Sequence, residues 1–142
     1  MIEVLLAMAL IAVVVLSVLG IGIGTINGTR KSLDTSAGQL VAETELQRAI
    51  YQADNNSGDS LWAQNSATVP LRTYTSQVGS TAYQVALYAE DVVDTSGNPI
   101  GGASVNHAKK VDVLVSWWVA SQTSRSGYGL LQVQNSRLLD GP

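Results

Sequence analysis

The first 26 residues, MIEVLLAMALIAVVVLSVLGIGIGTI, restrict the possible folds more than any other part of the chain. Between Val4 and Leu19 every residue except Ser17 is apolar, and the only charge before Arg30 is that of Glu3. A helix hydrophobic on every side belongs inside a large core or inside a bilayer. A chain of 142 residues cannot enclose such a helix. From Val4 to Ile26 the helix would rise roughly 34 Å at about 1.5 Å per residue, enough to cross a hydrocarbon layer of about 30 Å. A removed secretory signal would need a basic start, a shorter apolar region and a small-residue cleavage site. The run has none of these and passes straight into helix-forming sequence, so a retained anchor is the expectation.

Glu3 stands out in this setting. A carboxylate at membrane depth costs a few kcal/mol and calls for a partner. It either sits at the interface, favoured by the helix macrodipole, or pairs with a cation of another subunit. Gly20, Gly22 and Gly24 each lower helix propensity by roughly 1 kcal/mol relative to Ala. In lipid the helix should nevertheless stay intact, because an unpaired backbone group costs several kcal/mol there. Two roles fit the glycines equally: local melting in an assembly, or close approach of neighbouring helices.

The opening Met1–Ile2–Glu3–Val4–Leu5–Leu6–Ala7–Met8–Ala9–Leu10–Ile11–Ala12 resembles the N-terminal signature of type IV pilins and type II secretion pseudopilins, closest to minor pilins. The resemblance covers about the first third of the chain. In that family the acid lies two residues further from the mature amine than Glu3 lies from Met1, and a basic leader precedes it. The expectation is that this sequence begins just inside the mature protein. The resemblance implies a subunit cut by prepilin peptidase, methylated at its N-terminus, and held in the cytoplasmic membrane. An assembly platform would then move it into an extracellular or cell-surface filament, with copies of itself and other pilin-like subunits as partners. It also implies that Glu3 meets a neighbour's N-terminal amine. Many pilins close their C-terminal region with a disulfide; this chain has no Cys.

The remaining sequence reads as α+β. Residues 29–54 form the amphipathic half of one long helix, whose first half, residues 1–28, should project from the domain. Ala42, Leu46, Ala49, Ile50 and Ala53 form one apolar stripe, preceded by Leu33, Ala37, Leu40, Val41 and Thr44. Glu43, Glu45, Gln47 and Arg48 lie off the stripe and should face water or another subunit. Gly38 is a weak point within the helix. Asp54–Asn55–Asn56–Ser57–Gly58 ends it. Residues 55–79 read as a connecting loop with room for one short strand at Val69 to Tyr74, which Pro70 bars from the sheet centre.

Residues 80–139 read as a meander, giving a three- to four-stranded antiparallel sheet. Tyr83, Val85, Leu87 and Ala89 alternate with Ala82, Gln84, Ala86 and Tyr88; Val111, Val113, Val115, Trp117 and Val119 with Asp112, Leu114, Ser116 and Trp118; and Leu131, Val133 and Asn135 with Leu130, Gln132 and Gln134. Turn clusters lie at 94–99, 101–102 and 121–129. The helix stripe should bury itself against the face carrying Val111 to Trp117, with Trp118 on the opposite face as a candidate subunit contact.

Nothing in the chain assembles an active site, so an enzyme is not expected. His107 has no nucleophile or carboxylate beside it in sequence. Glu90, Asp91 and Asp94 are weak candidates for Ca²⁺, which takes six to eight oxygens, and a solvated strand end is the plainer reading. No cofactor is expected, and a net charge of −3 gives no basic patch for nucleic acid. Asn27–Gly28–Thr29 and Asn55–Asn56–Ser57 match the N-glycosylation triplet, a pattern that arises often by chance. The leading expectation is a structural subunit of a type IV pilus-like filament. The alternatives are a minor pilin or pseudopilin that primes assembly in secretion or DNA uptake, and a single-span anchored binding domain that never polymerises. An anchored enzyme is a third.

Overall fold

A computed structural model describes residues 2–56, 58–101, 107–118 and 130–140, without the side chains of Leu5 and Asn27. Helix α1 runs over Ile2–Asn55, followed by a single-turn helix α2 (Ser60–Ala63) and strands β1 (Arg72–Val78), β2 (Thr81–Asp91), β3 (Lys109–Trp117) and β4 (Leu131–Leu139). The strands form one antiparallel sheet in the order β1-β2-β3-β4. The class is α+β, with the C-terminal part of α1 packed on a four-stranded sheet. The chain divides into two compact units, Met1–Asp34 and Thr35–Pro142.

No Pro interrupts α1, since the first is Pro70. Four of its hydroxyls are satisfied within the helix: those of Ser17, Thr25, Thr29 and Thr44 donate to the carbonyl four residues earlier, at 2.7–3.0 Å. At the C-terminus the orphan carbonyls find partners, as helix ends require. Asn55 Nδ2 donates to the Tyr51 carbonyl at 2.8 Å, and the indole N–H of Trp62 reaches that of Ala53 at 3.3 Å.

In the second unit, Ala42, Leu46, Ala49 and Ala53 of α1 are buried with Val85, Leu87, Val111, Val113, Val115 and Trp117 of the sheet. The expected stripe is therefore the core stripe from Ala42 onward. Leu40 is not part of it and stands exposed, because it lies on the opposite side of the helix. Leu33, in the first unit, is exposed as well. Gly38 marks a close approach: a Cβ built there would lie 2.7 Å from Cζ3 of Trp117. The missing side chain is what lets the indole ring lie against the helix backbone.

Two elements lie within the stretch read as a loop. Helix α2 is capped by Asp59, whose carboxylate accepts the Leu61 N–H at 2.8 Å, and it plugs Leu61 and Trp62 into the core. Strand β1 begins two residues after Pro70 and sits at the sheet edge, where Pro is tolerated. Its inward residues Arg72, Tyr74 and Ser76 lack the apolar alternation that marks the other strands. A two-residue loop joins β1 to β2, with Gly79 at φ 61°, a conformation open to glycine at little cost. The residues that would carry Val119, Gly102 and the 121–129 turn lie outside the described residues, as does Ser57 of one glycosylation triplet. The Asn27 side chain of the other triplet is likewise outside them.

Candidate functional site: the apolar helix and the polar seams

In the first unit every described side chain of Val4–Ile26 is exposed. One window of α1 is long and apolar enough to cross a membrane, and none of it is buried. Glu3 lies in the first turn, on the end of the helix that favours an anion. Around Gly20, Gly22, Gly24 and Gly28 nothing comes within 4 Å of an added Cβ. Gly20, Gly24 and Gly28 recur every four residues, which places them on one helix face with Ser17 beside them. Gly28 was not singled out from the sequence; the i, i+4, i+8 spacing is the signal that identifies it.

The second unit holds three polar seams. The first corrects an expectation. Glu45 does not face water; it is 2% exposed, on the helix flank that meets β1. Tyr74 Oη donates to its Oε2 at 2.7 Å, with Arg72 Nη1 3.5 Å and Arg48 Nη1 3.8 Å from the carboxylate. Arg72 Nη2 also donates to Gln52 Oε1 at 3.3 Å. Burial, then the hydrogen bond to Glu45 and its charge, pushes the Tyr74 hydroxyl up to about 12. A buried carboxylate left without these partners would cost several kcal/mol, so helix and edge strand are coupled here. Partners 27 and 29 residues away explain why the helical pattern misplaced Glu45.

The other two seams absorb the candidate metal ligands. Asp91 pairs with the buried Lys109, its direct cross-strand neighbour. Lys109 Nζ also donates to the Gln64 carbonyl at 2.7 Å, which ties the exit of α2 to the sheet. Glu90 pairs with Lys110 at 3.0 Å, and Lys110 reaches Asp112 at 3.0 Å. Asp112 lies on the sheet face away from the helix, as its alternation requires, yet is buried among its neighbours. Burial alone would raise its carboxyl; hydrogen bonds from Ser136 and Lys110 outweigh that and hold it below the usual range. Lys110 is raised, first by Glu90 and then by Asp112. Asp94 turns inward on its own loop, accepting the N–H groups of Ser96 and Asn98 at 2.8 and 2.9 Å, and these bonds lower its carboxyl. Glu90, Asp91 and Asp94 thus each have a separate partner. Among the described residues no three His, Asp or Glu gather as a metal site. His107 is half-buried, and its Nδ1 is enclosed without a hydrogen-bond partner among the described residues.

No protein-family model, no curated protein and no solved structure matches the chain. The functional reading accordingly rests on the residues themselves.

Proposed function

We propose that this chain is a structural subunit of a type IV pilus-like filament, assembled from the membrane by bundling of its N-terminal helices. The observation that carries the reading is the unbroken helix α1, apolar on all sides from Val4 to Leu19 apart from Ser17 and opening on Glu3. A helix of that kind needs either lipid or copies of itself around it. Lateral contact with identical helices replaces lipid at small cost, since lipid tails are as apolar as Leu, and association then depends on close packing. The Gly20–Gly24–Gly28 face supports close packing as the role of the glycines, in preference to local melting. Identical contacts that repeat without closing give a filament. Before assembly the subunit would reside in the cytoplasmic membrane and meet a prepilin peptidase and an assembly platform; afterwards it would lie at the cell surface. A subunit that only primes assembly is the finer variant of the same reading.

Glu3 supplies the test. A carboxylate inside an apolar bundle is stable only when paired, and the family resemblance implies the N-terminal amine of a neighbour as its cation. Glu3→Ala should leave membrane insertion intact or improved while lowering filament yield at least several-fold, read by counting filaments sheared from cells. Unchanged filament numbers would overturn the pairing. Deleting residues 1–28 tests the broader reading: a subunit of this kind becomes an inert monomer, whereas an anchored binder or enzyme keeps its activity.

A further inference from the structure

We propose that Arg30, with Lys31 beside it, binds the phosphate of an anionic phospholipid and thereby fixes the depth of α1 in the bilayer. The inference rests on the reading of Val4–Ile26 as a membrane span. Arg30 and Lys31 are the first cations of the chain, and the next is Arg48. Both are exposed on α1. Among the described residues Arg30 has no ion-pair or hydrogen-bond partner. Arg30 lies four residues past Ile26, about 6 Å further along the axis. A bilayer about 40–45 Å thick with a hydrocarbon core of about 30 Å has a headgroup layer of roughly 5–7 Å on each side. With Val4–Ile26 filling the hydrocarbon, the guanidinium therefore stands at the level of the phosphates.

The depth of a span is set by its interfacial anchors, Trp, Tyr, Lys and Arg. The first aromatic residue of this chain is Tyr51, so the aromatic kind is missing from the whole first unit. Arg30 and Lys31 remain as the anchors at that end of the span. Between Glu3 and Asp34 there is no acid, which leaves the lipid as the source of anions at that level. A guanidinium suits the task, since its planar fork meets two phosphate oxygens at once. The charge of the whole headgroup then decides between lipids. A choline headgroup carries its own cation next to the phosphate, which competes with Arg30. A glycerol headgroup carries none, so its phosphate charge is free for the protein.

The test places the full chain in phosphatidylcholine vesicles with a trace of spin-labelled phosphatidylglycerol or spin-labelled phosphatidylcholine. The immobilised fraction of each label gives its relative affinity for the protein. Phosphatidylglycerol should be preferred by about fivefold or more, and the preference should shrink as salt is raised. Arg30→Gln combined with Lys31→Gln should bring it close to one. Both positions are exposed and Gln is a comparable helix former, so thermal unfolding should not change. Arg137→Gln, which removes an exposed cation of the second unit, should leave the preference intact. An inserted chain that holds both lipids equally would overturn this proposal and leave the span standing. A chain stripped from the vesicles by alkaline carbonate would overturn both. Also decisive against the lipid site would be a preference that survives the double substitution or vanishes with Arg137→Gln. Displacement by inorganic phosphate beyond that caused by chloride of equal ionic strength would show a free-phosphate site instead.

Discussion

Gly38 shows how a single missing side chain can matter more than helix propensity. Replacing it by Ala would add about 1 kcal/mol of helix propensity. The new Cβ would, however, meet two ring carbons of Trp117 at 2.7 and 2.8 Å, inside a core where the indole cannot withdraw. Overpacking of this kind typically costs about 1–3 kcal/mol. Gly38→Ala should therefore lower stability by up to about 2 kcal/mol net in denaturant titration; a gain would show that the indole yields. Glycine in a helix is legible from sequence as a weakness, but its use as a seat for Trp117, 79 positions later, is not. Glu45 follows the same logic. The 3.6-residue period identifies it as off-stripe, and only β1 turns that flank into an interior.

At the scale of elements, legibility followed periodicity. Strands β2 and β3 alternate strictly between buried and outward side chains, and the Ala42–Ala53 stripe recurs at three and four residues, so both could be read directly. Helix α2 is a single turn, too short to show a period, and only its Asp59 cap announces it. Strand β1 was legible only in part: the short non-central strand expected at Val69 to Tyr74 lies at Arg72–Val78 instead, because its inward side carries Arg72 and Tyr74, which are held by the helix, in place of an apolar alternation. That seam between α1 and β1 makes the domain sensitive to alkali. A tyrosine raised from its ordinary 10 to about 12 in the folded state binds its proton more tightly there than when unfolded. Its contribution is complete below pH 10 and disappears as pH rises through about 12. Stability should fall across that window, and Tyr74→Phe should flatten the fall while lowering stability at neutral pH; an unchanged alkaline limb would show that Tyr74 is not its source.

For the molecule as a whole, the division at Asp34 implies that the second unit carries its own core. A chain beginning at Thr29 should be soluble and monomeric and should melt cooperatively. Val115→Asp in that background should abolish the transition, because Val115 is fully buried and an unpaired buried charge is among the largest single-site penalties. A flat melting curve from the unsubstituted chain would refute the division. The long apolar helix, the α+β class and the helix–sheet core were all legible because each rests on a run or a periodic pattern of apolar residues. The polar seams were not, because each joins residues far apart in sequence.

The strand order also has a kinetic meaning. Every strand pairs with its neighbour in sequence, so the sheet can grow hairpin by hairpin, and each step closes only a local loop. The long-range closures are those that bring α1 to the sheet, such as Glu45 to Tyr74 and Glu43 to Asn135, the latter 92 residues apart. Helix docking is then the slow, high-entropy event in refolding. Between synthesis of β4 and that docking the sheet would wait with its apolar face bare, the interval in which the new chain is most open to proteolysis.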